Sequence, residues 1–93
     1  MNKKKLKQAR NKVDQIDQKI FNLIIKRTQI IKYMLNLKKF KKEIIDHKRN
    51  NEILKKIKNK SIRNNIDTNI TGRIWKAIIW SYVDFQKRNF RKK

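Results

Sequence analysis

Apolar residues in the first part of the chain recur in steps of three, four or seven residues. They are Leu6, Val13, Ile16, Ile20, Leu23, Ile30, Met34 and Leu37, which together we call the long-helix stripe. Because this spacing aligns side chains on one helical face, it predicts a single amphipathic helix over about residues 6–39. Such a helix would be about 50 Å long, whereas a compact monomer of this size is about 25–30 Å across. We therefore expect a second copy of the chain to cover the stripe in a homodimer.

Two arginines interrupt the long-helix stripe. Arg10 and Arg27 stand at steps where the pattern requires an apolar side chain. Burying a guanidinium costs free energy unless an anion meets it. The chain has only 7 Asp and Glu residues to serve that purpose. The pattern therefore indicates that an anion from outside the chain binds these arginines.

Two shorter helices are predicted after the long one. The helical period breaks over residues 41–45, and Asp46 can then cap a second helix over about residues 46–60. Asn64 and Asn65 mark a turn, and a third helix with a longer apolar face follows over about residues 67–88. The chain contains no proline and one glycine. We predict an all-α fold of a long, a short and a medium helix, forming one domain over residues 1–93.

The charge of the chain is strongly positive. It has 28 Lys and Arg residues and a formal net charge of +21, which normally suggests nucleic acid as a partner. However, Lys, Asn and Ile make up roughly half of the residues, and their A/T-rich codons allow base composition to raise all three together. The lysines are also dispersed along the chain. We therefore expect small anions rather than nucleic acid as ligands, with a basic helical nucleic-acid-binding protein as the alternative.

Several classes of site have no support in the sequence. The chain has no cysteine and one histidine, which excludes disulfides and thiolate chemistry and offers no nucleophile–base pair. It has no glycine-rich phosphate loop and no metal-ligand spacing, so we expect neither a metal nor a cofactor. No secretory signal or membrane-spanning segment is recognisable, and we expect a cytoplasmic protein.

A pair of cationic residues on the long helix suits a small dianion. Arg27 and Lys38 are eleven residues apart, which corresponds to about 20° of rotation and about 16 Å of rise. They therefore share one helical face, with apolar side chains between them. Solvated side chains in so basic a chain would show the same spacing. The pair indicates a binding site only together with other polar positions.

Those other positions follow in a fixed order along the three helices. The segments are ARNKVDQIDQKI with Arg10, LIIKRTQII with Arg27, LNLKK with Lys38, IIDHKRN with Asp46 and Arg49, and ITGRIWKAIIWSYVDFQ, which ends in Gln86. In this order and register they resemble the all-helical (AroQ-class) chorismate mutases, over about residues 6–88. The resemblance implies an enzyme that rearranges chorismate to prephenate in aromatic amino-acid biosynthesis.

The resemblance also implies an assembly and a set of residue roles. The family is an intertwined homodimer with two active sites, each built from both protomers. Arg10 of the partner chain and Arg27 would bind the two carboxylates of chorismate. Lys38 and Gln86 would donate hydrogen bonds to the ether oxygen, where negative charge grows as the C–O bond breaks. The rearrangement is unimolecular and pericyclic, so it requires no nucleophile, base, metal or cofactor.

The second helix and the end of the third supply the remaining contacts implied by the family. Asp46 and Arg49 would complete the wall of the site and contact the substrate hydroxyl. Asn50 replaces the glutamate that the family usually has there, and Tyr82 replaces a small serine-type residue four positions before the glutamine. The connection between Lys38 and Asp46 is also about one residue short.

These differences leave two alternatives with the same fold. One is an isochorismate-type pyruvate lyase, and the other is a decayed dimer without activity. We expect a free-standing mutase, because 93 residues leave no room for a second catalytic or a regulatory domain.

Overall fold

The computed structural model describes residues 2–91, and this part of the chain is helical without any strand. The helices are α1 (Lys3–Leu37), α2 (His47–Arg63) and α3 (Thr68–Asn89), with a short 3-10 helix at Lys41–Glu43 between α1 and α2. The predicted all-α fold of a long, a short and a medium helix is confirmed. No helix within the described residues is both long enough and apolar enough to cross a bilayer.

The long helix differs from its predicted bounds at both ends. It begins at Lys3, three residues earlier than predicted, where the Asn2 side chain accepts a hydrogen bond from the backbone N–H of Lys5 at 3.0 Å. Such a cap satisfies a donor that the first turn leaves without a helical partner. It ends at Leu37 rather than near residue 39, and the N–H of Lys38 bonds to the carbonyl of Leu35 at 3.1 Å.

The predicted cap of α2 is present, and the helix runs three residues further than predicted. The Asp46 carboxylate accepts from the backbone N–H of Arg49 at 3.0 Å. At the other end, Asn65 has a φ of 55°, a conformation that asparagine tolerates better than most residues. The N–H of Ile66 then bonds to the carbonyl of Ser61 at 2.9 Å. This is the helix-ending arrangement in which a left-handed residue returns the chain towards the last turn.

The chain divides into two compact units, Met1–Tyr33 and Met34–Lys93. The described part of the first unit is α1 up to Tyr33. Most of its apolar side chains are exposed in the single chain. The residues of the long-helix stripe show this best, since about half or more of the surface is exposed at Val13 (54%), Ile16 (56%), Ile20 (49%), Leu23 (63%) and Ile30 (59%). Within the described chain, the stripe in this unit is therefore an apolar surface open to solvent.

The second unit contains the apolar core. Leu35 from the last turns of α1, Ile44 from the connection and Val83 from α3 form a buried cluster, against which Ile45 and Phe90 pack. The helices α2 and α3 pack together. A hydrogen bond of 2.7 Å between the hydroxyls of Ser61 and Thr71 links these two helices. The core thus fixes the end of α1 against α3, which is where the candidate site lies.

Candidate active site

The site is centred on a contact between the end of α1 and the end of α3. The Lys38 ammonium donates a hydrogen bond to Oε1 of Gln86 at 2.7 Å, across 48 residues of sequence. Gln86 is buried, with 5% of its surface exposed, and Lys38 is partly buried. The two residues that the family resemblance assigned to one site, Lys38 just after α1 and Gln86 on α3, are therefore in direct contact.

The neighbours of Gln86 fix the orientation of its amide. Its Oε1 accepts from Lys38, and its Nε2 donates to the backbone carbonyl of Tyr82 at 3.2 Å, one turn earlier on α3. A lysine ammonium can only donate and a carbonyl can only accept, so the amide oxygen must face Lys38 and the amide nitrogen must face the helix. The side chain is held in one orientation before any ligand binds.

The pKa of Lys38 lies below its usual value. Burial is the main cause, because it disfavours the charged form, and the nearby carboxylates of Glu43 and Asp46 oppose the shift. Partial burial of this charge costs free energy, which the hydrogen bond to Gln86 and the two carboxylates offset in part. Lys38 can therefore present a poorly hydrated ammonium to an anionic atom.

Asp46 and Arg49 are joined through the backbone of α2. The Asp46 carboxylate receives the N–H of Arg49, and both side chains are exposed. The contact is therefore a helix cap through the backbone of Arg49, which holds the first turn of α2 in place. Asp46 is also close enough to Lys38 to stabilise its charge.

Asn50 carries a buried donor with no hydrogen-bond partner. It lies on α2, one turn after Asp46, and the N–H groups of its Nδ2 are shielded from solvent without reaching an acceptor. Leaving a buried donor unpaired costs about 1–3 kcal/mol. The structure therefore holds an unpaired donor at a position that the sequence assigned to ligand binding.

The two arginines of the long helix lie in the first unit. Arg10 is exposed, near the beginning of α1, and Arg27 is partly buried, three turns before Leu37. The structure brings Lys38 and Gln86 into contact, with Tyr82 next to Gln86 on α3. The part that Arg10 and Arg27 take in the site stays a prediction.

Two residues in the connection after α1 were not predicted from the sequence. Ile44 is among the most buried residues, at 4% exposed, although it lies where the helical period breaks. Glu43 accepts two backbone hydrogen bonds, from the N–H of Lys39 at 2.7 Å and of Phe40 at 2.8 Å. The spacing of Glu43 three residues after Phe40 is that of a capping acid and was the available signal.

Comparison with known protein families indicates which reaction the contact between Lys38 and Gln86 serves. A partly buried lysine that is held by an oriented amide can stabilise negative charge that develops on a bound molecule. The family model for chorismate mutase type II matches residues 9–87, which is most of the chain. No significant match was found among curated proteins or among solved structures. The chain belongs to the chorismate mutase type II family and is an intramolecular isomerase that rearranges chorismate to prephenate.

Proposed function

We propose that Lys38 stabilises the transition state of the chorismate rearrangement at the ether oxygen and that Gln86, whose amide oxygen faces the lysine, holds Lys38 in place rather than donating to that oxygen itself. The observation that carries this proposal is their 2.7 Å contact in a partly buried position. Negative charge grows on the ether oxygen as the C–O bond breaks, and donors placed in advance need no reorganisation when it appears. The ammonium retains N–H groups beyond the one given to Gln86, so it can bind this oxygen while Gln86 still holds it in place.

Substrate binding lowers the barrier in a second way. The rearrangement requires the two reacting arms of chorismate to lie close together, and an enzyme that holds this conformer removes an entropic cost. We propose that Arg27 and Arg10 of the partner chain hold the two carboxylates by bidentate hydrogen bonds. Asp46, Arg49 and Tyr82 would form the wall around the substrate ring.

Asn50 takes the position that faces the substrate hydroxyl in this proposal. Its unpaired Nδ2 can donate to the hydroxyl oxygen, whereas the usual glutamate can only accept.

We expect Asn50→Leu to raise KM for chorismate about tenfold, because that hydrogen bond is lost. The same change removes an unpaired buried donor, and we expect it to stabilise the fold by about 1 kcal/mol. Steady-state kinetics of the variant measures its KM, and thermal unfolding measures its stability. A raised KM together with a lowered stability would contradict the assignment of Asn50 to the substrate hydroxyl. Asn51→Leu, at the exposed neighbouring position, is the control.

The exposed stripe on α1 supports a homodimer. A continuous exposed apolar surface on a single chain usually marks a site of interaction with another molecule. The stripe is regular along the helix, as expected where a long helix pairs with a copy of itself by self-complementary contacts. We therefore propose an intertwined homodimer in which each active site receives residues from both protomers.

Mixed dimers test whether the sites are shared. One chain carries Arg10→Leu and the other Lys38→Met, with different tags, and dimers that hold both tags are purified. If Arg10 acts in the partner's site, each mixed dimer has one intact site and one site with both changes. We expect about half of the wild-type activity per dimer, although each variant alone is inactive.

The matched control pairs Arg27→Leu with Lys38→Met. Both residues are proposed to serve a site through the same chain, so this mixture has no intact site and should stay inactive. Activity restored in the control as well as in the test pair would contradict the assignment of residues to chains. An inactive test pair would contradict the role of Arg10, and a chain that sediments as a stable monomer would contradict the dimer.

A further inference from the structure

Glu43 binds the backbone immediately after Lys38. One oxygen of its carboxylate, Oε2, accepts the N–H groups of Lys39 at 2.7 Å and of Phe40 at 2.8 Å. The N–H of Lys38 itself closes the last turn of α1 on Leu35. Three successive N–H groups at the end of α1 thus have partners, and two of them share one side chain. The path of the chain after Lys38 is fixed by Glu43.

Glu43 is also one of two carboxylates that act on the Lys38 charge. The connection contributes Glu43, the first turn of α2 contributes Asp46, and α3 contributes the neutral amide of Gln86. Burial lowers the pKa of Lys38, and these two carboxylates oppose it. The pKa of Glu43 is itself below its usual value, mainly because of the hydrogen bond from Phe40. Glu43 is therefore ionised at neutral pH.

We propose that Glu43 is a positioning residue for Lys38, which holds the turn that follows the lysine and supplies the negative charge that keeps its ammonium form. This inference rests on the catalytic role proposed for Lys38. Asp46 is already engaged as the cap of α2. Glu43 instead lies on the connection itself, so its contacts act on the segment that carries the lysine.

The two effects of Glu43 can be separated by substitution. Glu43→Gln keeps an oxygen that can accept the backbone N–H groups but removes the charge. Glu43→Asp keeps the charge on a shorter side chain, which loosens the turn. Because Lys38 stabilises a developing negative charge best as an ammonium, activity should fall as the pH rises through its pKa. Removing the Glu43 charge should lower that pKa, so the fall should begin at a lower pH.

The experiment measures kcat for chorismate as a function of pH in the wild type, Glu43→Gln and Glu43→Asp. Glu52→Gln is the matched control, because Glu52 is an exposed glutamate on α2 and its loss changes the net charge equally. We expect the alkaline fall of kcat to move to lower pH in Glu43→Gln only. Glu43→Asp should keep the wild-type pH profile while kcat falls about tenfold, because a displaced lysine stabilises the transition state less well.

A second readout does not depend on turnover. The Lys38 side chain is titrated by NMR of its labelled Cε, and its signal is identified by its absence in Lys38→Met. We expect a lower pKa for Lys38 in Glu43→Gln than in the wild type and in Glu52→Gln. Equal titration in all three proteins, or an equal shift in Glu43→Gln and Glu52→Gln, would overturn the proposal. A lack of chorismate turnover by the wild type would instead overturn the catalytic role of Lys38, and the titration would still decide whether Glu43 supports its charge.

Discussion

Replacing Lys38 by methionine is expected to lower kcat about a thousandfold. Loss of one donor at a developing negative charge typically costs a hundredfold to a thousandfold, and the upper end applies here because the donor is charged and partly buried. Methionine keeps most of the volume, so the substrate can still bind. We expect KM to change much less than kcat, because the ether oxygen carries little charge in the ground state.

Lys39→Met is the matched control for this prediction. Lys39 is the exposed neighbour of Lys38, so its loss changes the net charge equally and leaves the contact with Gln86 in place. We expect the kcat of this variant to stay near the wild-type value. A kcat of Lys38→Met within about tenfold of the wild type would remove Lys38 from the proposed transition-state contact.

Replacing Arg27 by leucine is expected to lower kcat/KM for chorismate by at least about a hundredfold. The reason is the loss of the proposed bidentate contact to a substrate carboxylate, and such charged hydrogen bonds are among the strongest in proteins. Leucine also completes the apolar spacing of the long-helix stripe. We therefore expect the proposed dimer to dissociate at a lower protein concentration in this variant than in the wild type, because a guanidinium would no longer enter the proposed apolar interface.

Lys26→Leu distinguishes this effect from a general change in charge or hydrophobicity. Lys26 precedes Arg27 on α1 but is exposed and lies outside the stripe. We expect this variant to keep its kcat/KM and its dissociation constant near the wild-type values. Full activity of Arg27→Leu would contradict the substrate contact, and weaker association of its dimer would contradict the interpretation of the stripe.

The helices were predictable because they carry strong local signals. The helical spacing of the apolar residues predicted α1, and Asp46, which caps the first turn of α2 by a hydrogen bond, predicted the start of that helix. The positions of Lys38 and Gln86 also followed from the family resemblance. Their contact spans 48 residues and depends on how the end of α1 packs against α3. Such tertiary packing leaves no periodic trace in the sequence.

The connection after α1 was the least predictable part. Ile44 lies outside any helical period, so nothing in its neighbours indicated that it joins the buried cluster with Leu35 and Val83. Glu43 binds the backbone N–H groups of Lys39 and Phe40. Almost every residue type carries such a group, so the residue types at these two positions give no sign of the contact. The unpaired donor of Asn50 was equally hidden, because it is defined by the absence of an acceptor in three dimensions.

The most direct measurement is the conversion of chorismate by the purified wild-type protein, followed as loss of chorismate and appearance of prephenate. The account predicts equal amounts of both, at a rate well above that of the uncatalysed rearrangement and without added metal or cofactor. Loss of chorismate no faster than in buffer would contradict the proposed role of the Lys38–Gln86 pair, and release of pyruvate in place of prephenate would contradict the proposed chemistry.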